Sequence, residues 1–164
     1  MVSRLASSLT KGFLWASFIL MLLTGCGNQN IVFEQVIKIP EQTWDYKDSL
    51  DFSFEIQDTT QAYDLYLDIT HLESFSFQNL YLNMHSHAPE LPVFSEQHSL
   101  ELQEKTGEWI GACRKGKCEL RFVLREGLRF PAKGAYKIQL EQYSRTERLP
   151  GIYAAGIVLQ KAEK

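Results

Sequence analysis

The chain has no apolar stretch long enough to cross a bilayer as a helix. Its longest, Phe13 to Leu23, is an 11-residue run, whereas a spanning helix needs about 20 apolar residues. Cationic excess is also missing: 17 Lys+Arg stand against 20 Asp+Glu, and the basic residues are not clustered. That excludes the electrostatic footprint of a nucleic-acid binder. Phosphate loops and dinucleotide fingerprints are absent, as is a G-x-S-x-G nucleophile elbow. Cysteine is scarce, with 3 in all, too few for a disulfide-built scaffold. The sequence has no internal repeat, no low-complexity tract and no convincing helical pattern after the apolar run.

What is present begins with that run. Arg4 and Lys11 precede it and no acidic residue does, so it fits the hydrophobic region of a secretory signal. The residues that follow, Leu23-Thr24-Gly25-Cys26, resemble the bacterial lipobox. That resemblance implies that residues 1–25 are removed and that the Cys26 thiol carries a diacylglycerol. An ordinary signal peptide with an incidental cysteine is the other reading. Each buried acyl CH₂ contributes about 0.8 kcal/mol, so two or three chains give an anchor that does not dissociate. Membrane lipid is thus the first expected partner. Gly27 to Asn30 reads as a short polar tether, without an acidic cluster and without Asp directly after the cysteine. A periplasm-facing position on the outer membrane is favoured. The expected organisation is a signal peptide over 1–25, the lipidated cysteine and tether over 26–30, and one domain over 31–164.

Without residues 1–25 the chain loses Arg4 and Lys11, which leaves 15 Lys+Arg against 20 Asp+Glu and a net charge of −5. Period-two alternation, the mark of half-buried strands, then recurs. In YDLYLDIT, Tyr63, Leu65, Leu67 and Ile69 share a face. FSFEI, ELRFVLR and AYKIQLEQ alternate as clearly, while IVFEQVIKI, NLYLNMH, SLELQ and YAAGIVLQ do so more weakly. Turn signals separate them at Asp58-Thr59-Thr60, Pro89 and Pro92, Lys105-Thr106-Gly107, Pro131 to Gly134, and Pro150-Gly151. The expectation is an all-β, antiparallel β-sandwich of about eight strands, Ig-like or jelly-roll-like, with a small barrel as the alternative.

Few residues offer chemistry. Cys113 and Cys118 frame Arg-Lys-Gly-Lys, a four-residue loop between strand-like flanks, which predicts a cross-hairpin disulfide in an oxidising compartment. A redox dithiol and a zinc site are the competing readings, the first usually C-x-x-C at a helix start and the second needing further ligands. His85 and His87 share one face of a strand, but Pro89 and Pro92 follow and no third ligand stands nearby. They read as loop-mouth histidines rather than a metal site. Trp44 and Trp109 are either core anchors or sugar-stacking platforms. The Ser, His and Asp residues show no triad spacing. No catalytic residue, cofactor or metal is expected, and the reading is of a non-enzyme.

Four segments reach beyond class. Lys105-Thr106-Gly107-Glu108-Trp109 precedes a turn, and Phe130-Pro131-Ala132-Lys133-Gly134-Ala135-Tyr136 leads into a strand with Leu140-Glu141 and Arg145, ending near Gly151-Ile152. With the lipobox and YDLYLDIT, this ordered set resembles the GldH gliding-motility lipoproteins of the Bacteroidetes. The resemblance implies an accessory lipoprotein of the gliding-motility and type IX secretion machinery that binds other envelope proteins. It supplies no catalytic residues. Loops carry function on such scaffolds, and two are richest in polar and turn-forming residues: His85 to Pro92 and Arg145 to Pro150. Arg145, Arg148, His85 and His87 are therefore the candidate partner-binding residues. The alternative is a glycan-binding lipoprotein that uses Trp44 or loop aromatics.

Overall fold

A computed structural model describes residues 30–163. The signal-peptide segment and Cys26 lie outside the described residues. Eleven strands make up the domain. They are β1 (Ile31–Lys38), β2 (Thr43–Asp45), β3 (Leu50–Ile56), β4 (Tyr63–Leu72), β5 (Asn79–His87) and β6 (Phe94–Glu101). They continue with β7 (Ala112–Arg114), β8 (Lys117–Leu128), β9 (Gly134–Gln142), β10 (Arg148–Pro150) and β11 (Ile152–Lys161). The expected number was about eight. The surplus consists of β2, β7 and β10, each three residues long and too short to show a period.

All pairings are antiparallel. One sheet runs β1-β11-β4-β8-β7, a second runs β3-β9-β5-β6, and β10 and β2 form a separate ribbon. Among the eight long strands, the first pairs the last (β1 with β11) and the second the seventh (β3 with β9). The third pairs the sixth (β4 with β8) and the fourth the fifth (β5 with β6). The chain is in effect one long hairpin rolled up on itself.

The alternating residues of β3, β4 and β9 point into one core shared by both sheets. Phe33 of β1 meets Phe54 of β3 at 5.3 Å between ring centres, and Tyr63 of β4 meets Phe130 at 5.3 Å. These contacts tie the sheets together near the end where β1 begins. β11 is buried almost without alternation because it lies between β1 and β4 and carries small outward residues, Ala154 and Gly156. A Cβ on Gly156 would meet Val36 Cγ2 at 2.8 Å and the Gln35 carbonyl at 3.0 Å. Glycine is what lets β1 lie there.

The topology sorts the loops into two groups. The start of β1, the connections 57–62, 88–93 and 129–133, and the end of β11 lie at one end of the domain. Hydrogen bonds join them: Lys161 N to Asn30 O at 2.7 Å, Ala162 N to Ala62 O at 2.9 Å, and Arg129 Nη1 to Thr60 O at 2.9 Å. The segments 39–49, 73–78, 102–116 and 143–151 lie at the other. There the β2–β10 ribbon crosses the core, with Trp44 and Leu149 both fully buried.

Candidate functional site

The segment Arg145 to Pro150 leaves β9 and returns as β10 at the end remote from the chain's entry. The buried Gln142 side chain braces it. Its Nε2 donates to the carbonyls of Thr146 and Glu147 at 3.1 Å each and of Trp44 at 3.4 Å, and its Oε1 accepts from Ser144 N at 2.8 Å. The Tyr46 hydroxyl donates to the Ser144 carbonyl, and Tyr46 N to the Glu147 carbonyl at 3.0 Å. Trp44 Nε1 donates to Asp48 O at 2.7 Å, so the adjoining turn is held from inside the core. The loop is therefore fixed, and it displays exposed charge. Arg148 Nε sits 3.9 Å from Asp45, which Lys47 also approaches at 3.8 Å. Arg145 is exposed and makes no ion pair among the described residues.

His85 and His87 are not brought to this loop. Both lie at the opposite end of β5, toward the chain's entry. His85 Nδ1 lies 2.7 Å from Ser95 Oγ, and its Nε2 lies 3.5 Å from Glu141 Oε2. That Ser-His-Glu line is one the sequence spacing does not reveal, because pairing of β5 with both β6 and β9 creates it. The three side chains stand on an open sheet face. None of the three lines the concavities of about 570, 480, 260 and 180 Å³ that open elsewhere on the described residues. Among the described residues, one His/Cys/Asp/Glu group has metal-binding spacing: Glu73, Cys113 and Cys118. Two of its three ligands are already joined to each other.

Cys113 and Cys118 form a disulfide directly across the β7–β8 ladder. The turn is shorter than the four residues expected, because Arg114 and Lys117 also pair. Only Lys115 and Gly116 remain, at φ +53° and +79°, the positive pair that a tight two-residue hairpin requires. Beneath the bridge lies His71, paired with Cys118 in register, fully buried and 4.5 Å from the Trp109 ring. Its Nδ1 is 2.8 Å from the Leu72 carbonyl and its Nε2 has no partner. Burial holds this imidazole below its ordinary pKa, against the smaller effect of the Leu72 bond. Trp109 is half-buried against the core, and the fully buried Trp44 offers no face to a sugar.

Sequence reasoning also missed a groove of about 570 Å³ on the outer face of the five-stranded sheet. Lys38, Lys117, Arg121 and Tyr153 line it, with Asp68 and Glu119. Arg121 binds Asp68 through two hydrogen bonds of 2.6 Å, and Lys117 Nζ stands 3.3 Å from the centre of the Tyr153 ring. The bond and charge of Lys117, then Lys38, lower the Tyr153 pKa. Alternating charges on β8 were visible beforehand. Their meeting with Lys38 and Tyr153 depends on which strands are neighbours.

Fold and surfaces together define an all-β, antiparallel domain with a braced, charged loop displayed at the end opposite its N-terminal entry. Residues 31–159 match the model of the GldH lipoprotein family, and the chain belongs to that family. A curated relative from Christiangramia forsetii, named a gliding motility lipoprotein GldH homolog, is 27% identical over 154 residues, covering 89% of this chain and 93% of the relative. The family is one of lipoproteins, so the chain is membrane-anchored. Among solved structures, the infectious bursal disease virus VP2 subviral particle gives a TM-score of 0.36 at 10% identity, over 80% of this chain and 32% of that one. The Gx strain of the same virus gives 0.34 at 12%, over 79% and 33%. The chain thus spans about a third of those viral chains, and the likeness carries no functional weight.

Proposed function

We propose that this protein is an accessory lipoprotein of the gliding-motility and type IX secretion machinery, acting by protein–protein binding. Lipidated Cys26 holds it on the periplasmic face of the outer membrane. The carrying observation is the placement of the braced Arg145–Pro150 loop at the end of the domain opposite Asn30, where the described chain begins. An anchor at the entry end leaves that loop facing away from the membrane, toward other envelope proteins. Arg145 and Arg148 are the contact residues of this reading, and His85 and His87 lie on a different surface.

The same proposal makes the protein a non-enzyme. Ser95, His85 and Glu141 form a cross-strand polar line on an open sheet face, which suits a sheet surface better than acyl transfer. The fold is proposed to be a jelly roll, since the first-with-last pairing of its eight long strands is the order that such a double sheet takes.

The test is recovery of partners from detergent-solubilised envelope. Arg145→Glu combined with Arg148→Gln is expected to weaken recovery several-fold while the protein remains folded and membrane-bound. Glutamine at 148 avoids setting a second carboxylate beside Asp45. Unchanged recovery removes this loop from the contact surface. Labelling of Ser95 by a fluorophosphonate probe would overturn the non-enzyme reading.

A further inference from the structure

Among the described residues ten large hydrophobic side chains are exposed, and three of them stand together: Leu91 at 52% and Val93 at 53% exposure in the 88–93 connection, and Phe94 at 60%, the first residue of β6. Of the other seven, Tyr46, Tyr81 and Tyr143 neighbour one another at the far end and carry hydroxyls that suit them to water, and the remaining four are aliphatic residues of β1, β8 and the 102–116 segment. The loop is not loose. Pro89 and Pro92 restrict it, Glu90 takes φ +57°, and Pro89 lies against Gly134, where an added Cβ would come within 3.3 Å of its ring. Leu91 and Phe94 themselves help line a cleft of about 260 Å³ that opens between the two sheets, together with Phe54, Met84, Phe130 and Tyr136. A rigid loop and strand start holding three apolar side chains in water at an apolar opening have an unmet partner.

Where the chain enters identifies that partner. Asn30, the 88–93 connection and the start of β6 lie at the same end of the domain, and Cys26 is four residues before Asn30. Four residues of fully extended chain span at most about 14 Å. A lipid on Cys26 therefore holds this end of the domain close to the headgroups. The exposed cations Arg129 and Lys133 are on the neighbouring 129–133 loop, placed to meet lipid phosphates.

We infer that this end is a second membrane contact: Leu91, Val93 and Phe94 enter the headgroup–acyl boundary of the bilayer in which Cys26 is anchored. This rests on the lipidated Cys26 of the proposed function. The domain then stands end-on, and its opposite loops project from the membrane at a fixed orientation rather than swinging on the tether.

The experiment uses the full lipidated protein reconstituted in phosphatidylethanolamine–phosphatidylglycerol vesicles whose acyl chains carry bromine, a contact quencher of tryptophan. In the wild type, Trp44 and Trp109 sit at the far end and serve as the internal control. Phe94→Trp is expected to lose at least about half of the emission it adds, as for a side chain at the acyl boundary, while wild-type emission is unchanged. Leu91→Trp repeats the measurement should Phe94→Trp melt early by circular dichroism. Protein that floats with the vesicles but whose added emission is unquenched overturns the docking and leaves the anchor standing. Protein that does not float removes both. Added emission that is unquenched but shifts blue with protein concentration assigns the patch to a second copy of the chain, which also overturns the proposal.

Discussion

The two ends of this domain are built on opposite terms. At the far end, the β2–β10 ribbon drives Trp44 and Leu149 into the core, Gln142 ties the loop above them, and a disulfide closes the neighbouring hairpin. At the entry end the two sheets part around an apolar cleft, and the adjoining loop leaves its hydrophobic side chains outside. The difference shows how one rolled hairpin separates two tasks. Where the core is plugged, the backbone above is rigid enough to hold charged side chains in fixed places. Where it is left open, apolar surface remains available to something other than the protein.

The largest test of that contrast is Trp44→Ala. Trp44 is fully buried and its Nε1 is hydrogen-bonded to Asp48, so truncation leaves a cavity and a freed carbonyl. Such a change is expected to lower stability by about 3–5 kcal/mol in urea denaturation. Phe130→Ala, beside the existing cleft, should cost clearly less because its site is already open on one side. Equal losses would break the comparison.

Next in size is the disulfide. Cys113→Ala with Cys118→Ala removes a bridge that spans only a short loop, and the expected loss is about 1–2 kcal/mol, measured as a shift in the urea midpoint. The tight Lys115-Gly116 turn holds the hairpin whether or not the sulfurs are joined. A loss as large as that of Trp44→Ala would mean that the bridge, not the ribbon, closes the far end.

A smaller effect follows from His71. Its folded pKa lies below the ordinary value, so at pH under about 6.5 the unfolded chain binds a proton that the folded chain refuses. Stability from this group is complete above that pH and declines as pH falls below it. Melting temperatures of the wild type should therefore drop between pH 7 and pH 5 by more than those of His71→Asn. Parallel curves would show that protonated His71 is accommodated beside Trp109 and Cys118.

Much of this was legible in the sequence, and the omissions have physical causes. β3, β4 and β9 are buried on one face, so their alternation survives as a pattern that can be read directly. β11 lies between β1 and β4 and carries small residues on its outer face, which erases alternation and made YAAGIVLQ look like a weak candidate although it is nearly all buried. β2 and β10 have three residues each, and no period can be read from three. Trp44 and Leu149 were thus visible as residues but not as a plug. The candidate contacts suffered in the same way. His85 and Arg145 each stood in a plausible segment, but only the order of strands reveals that they belong to opposite ends. The apolar loop was read as polar because His, Ser, Pro and Glu dominate residues 85–90, while Leu91, Val93 and Phe94 look like the start of a buried strand until β6 is seen to be an edge.

The smallest expected effect on stability is that of Arg145→Glu, and its smallness is what makes it informative. The loop's shape comes from Gln142, Tyr46 and backbone hydrogen bonds, none of which involves the Arg145 side chain. That side chain is exposed and makes no ion pair among the described residues, so charge reversal there removes no native contact. An exposed change of this kind shifts stability by no more than about 0.5 kcal/mol. The melting temperature should match the wild type, and any fall in partner recovery must then come from the lost cation itself. If Arg145→Glu instead destabilises the protein as much as removing the disulfide does, the side chain is part of the brace. The far end would then be a structural cap, and the binding surface would have to be sought elsewhere, first in the Lys38–Lys117–Tyr153 groove.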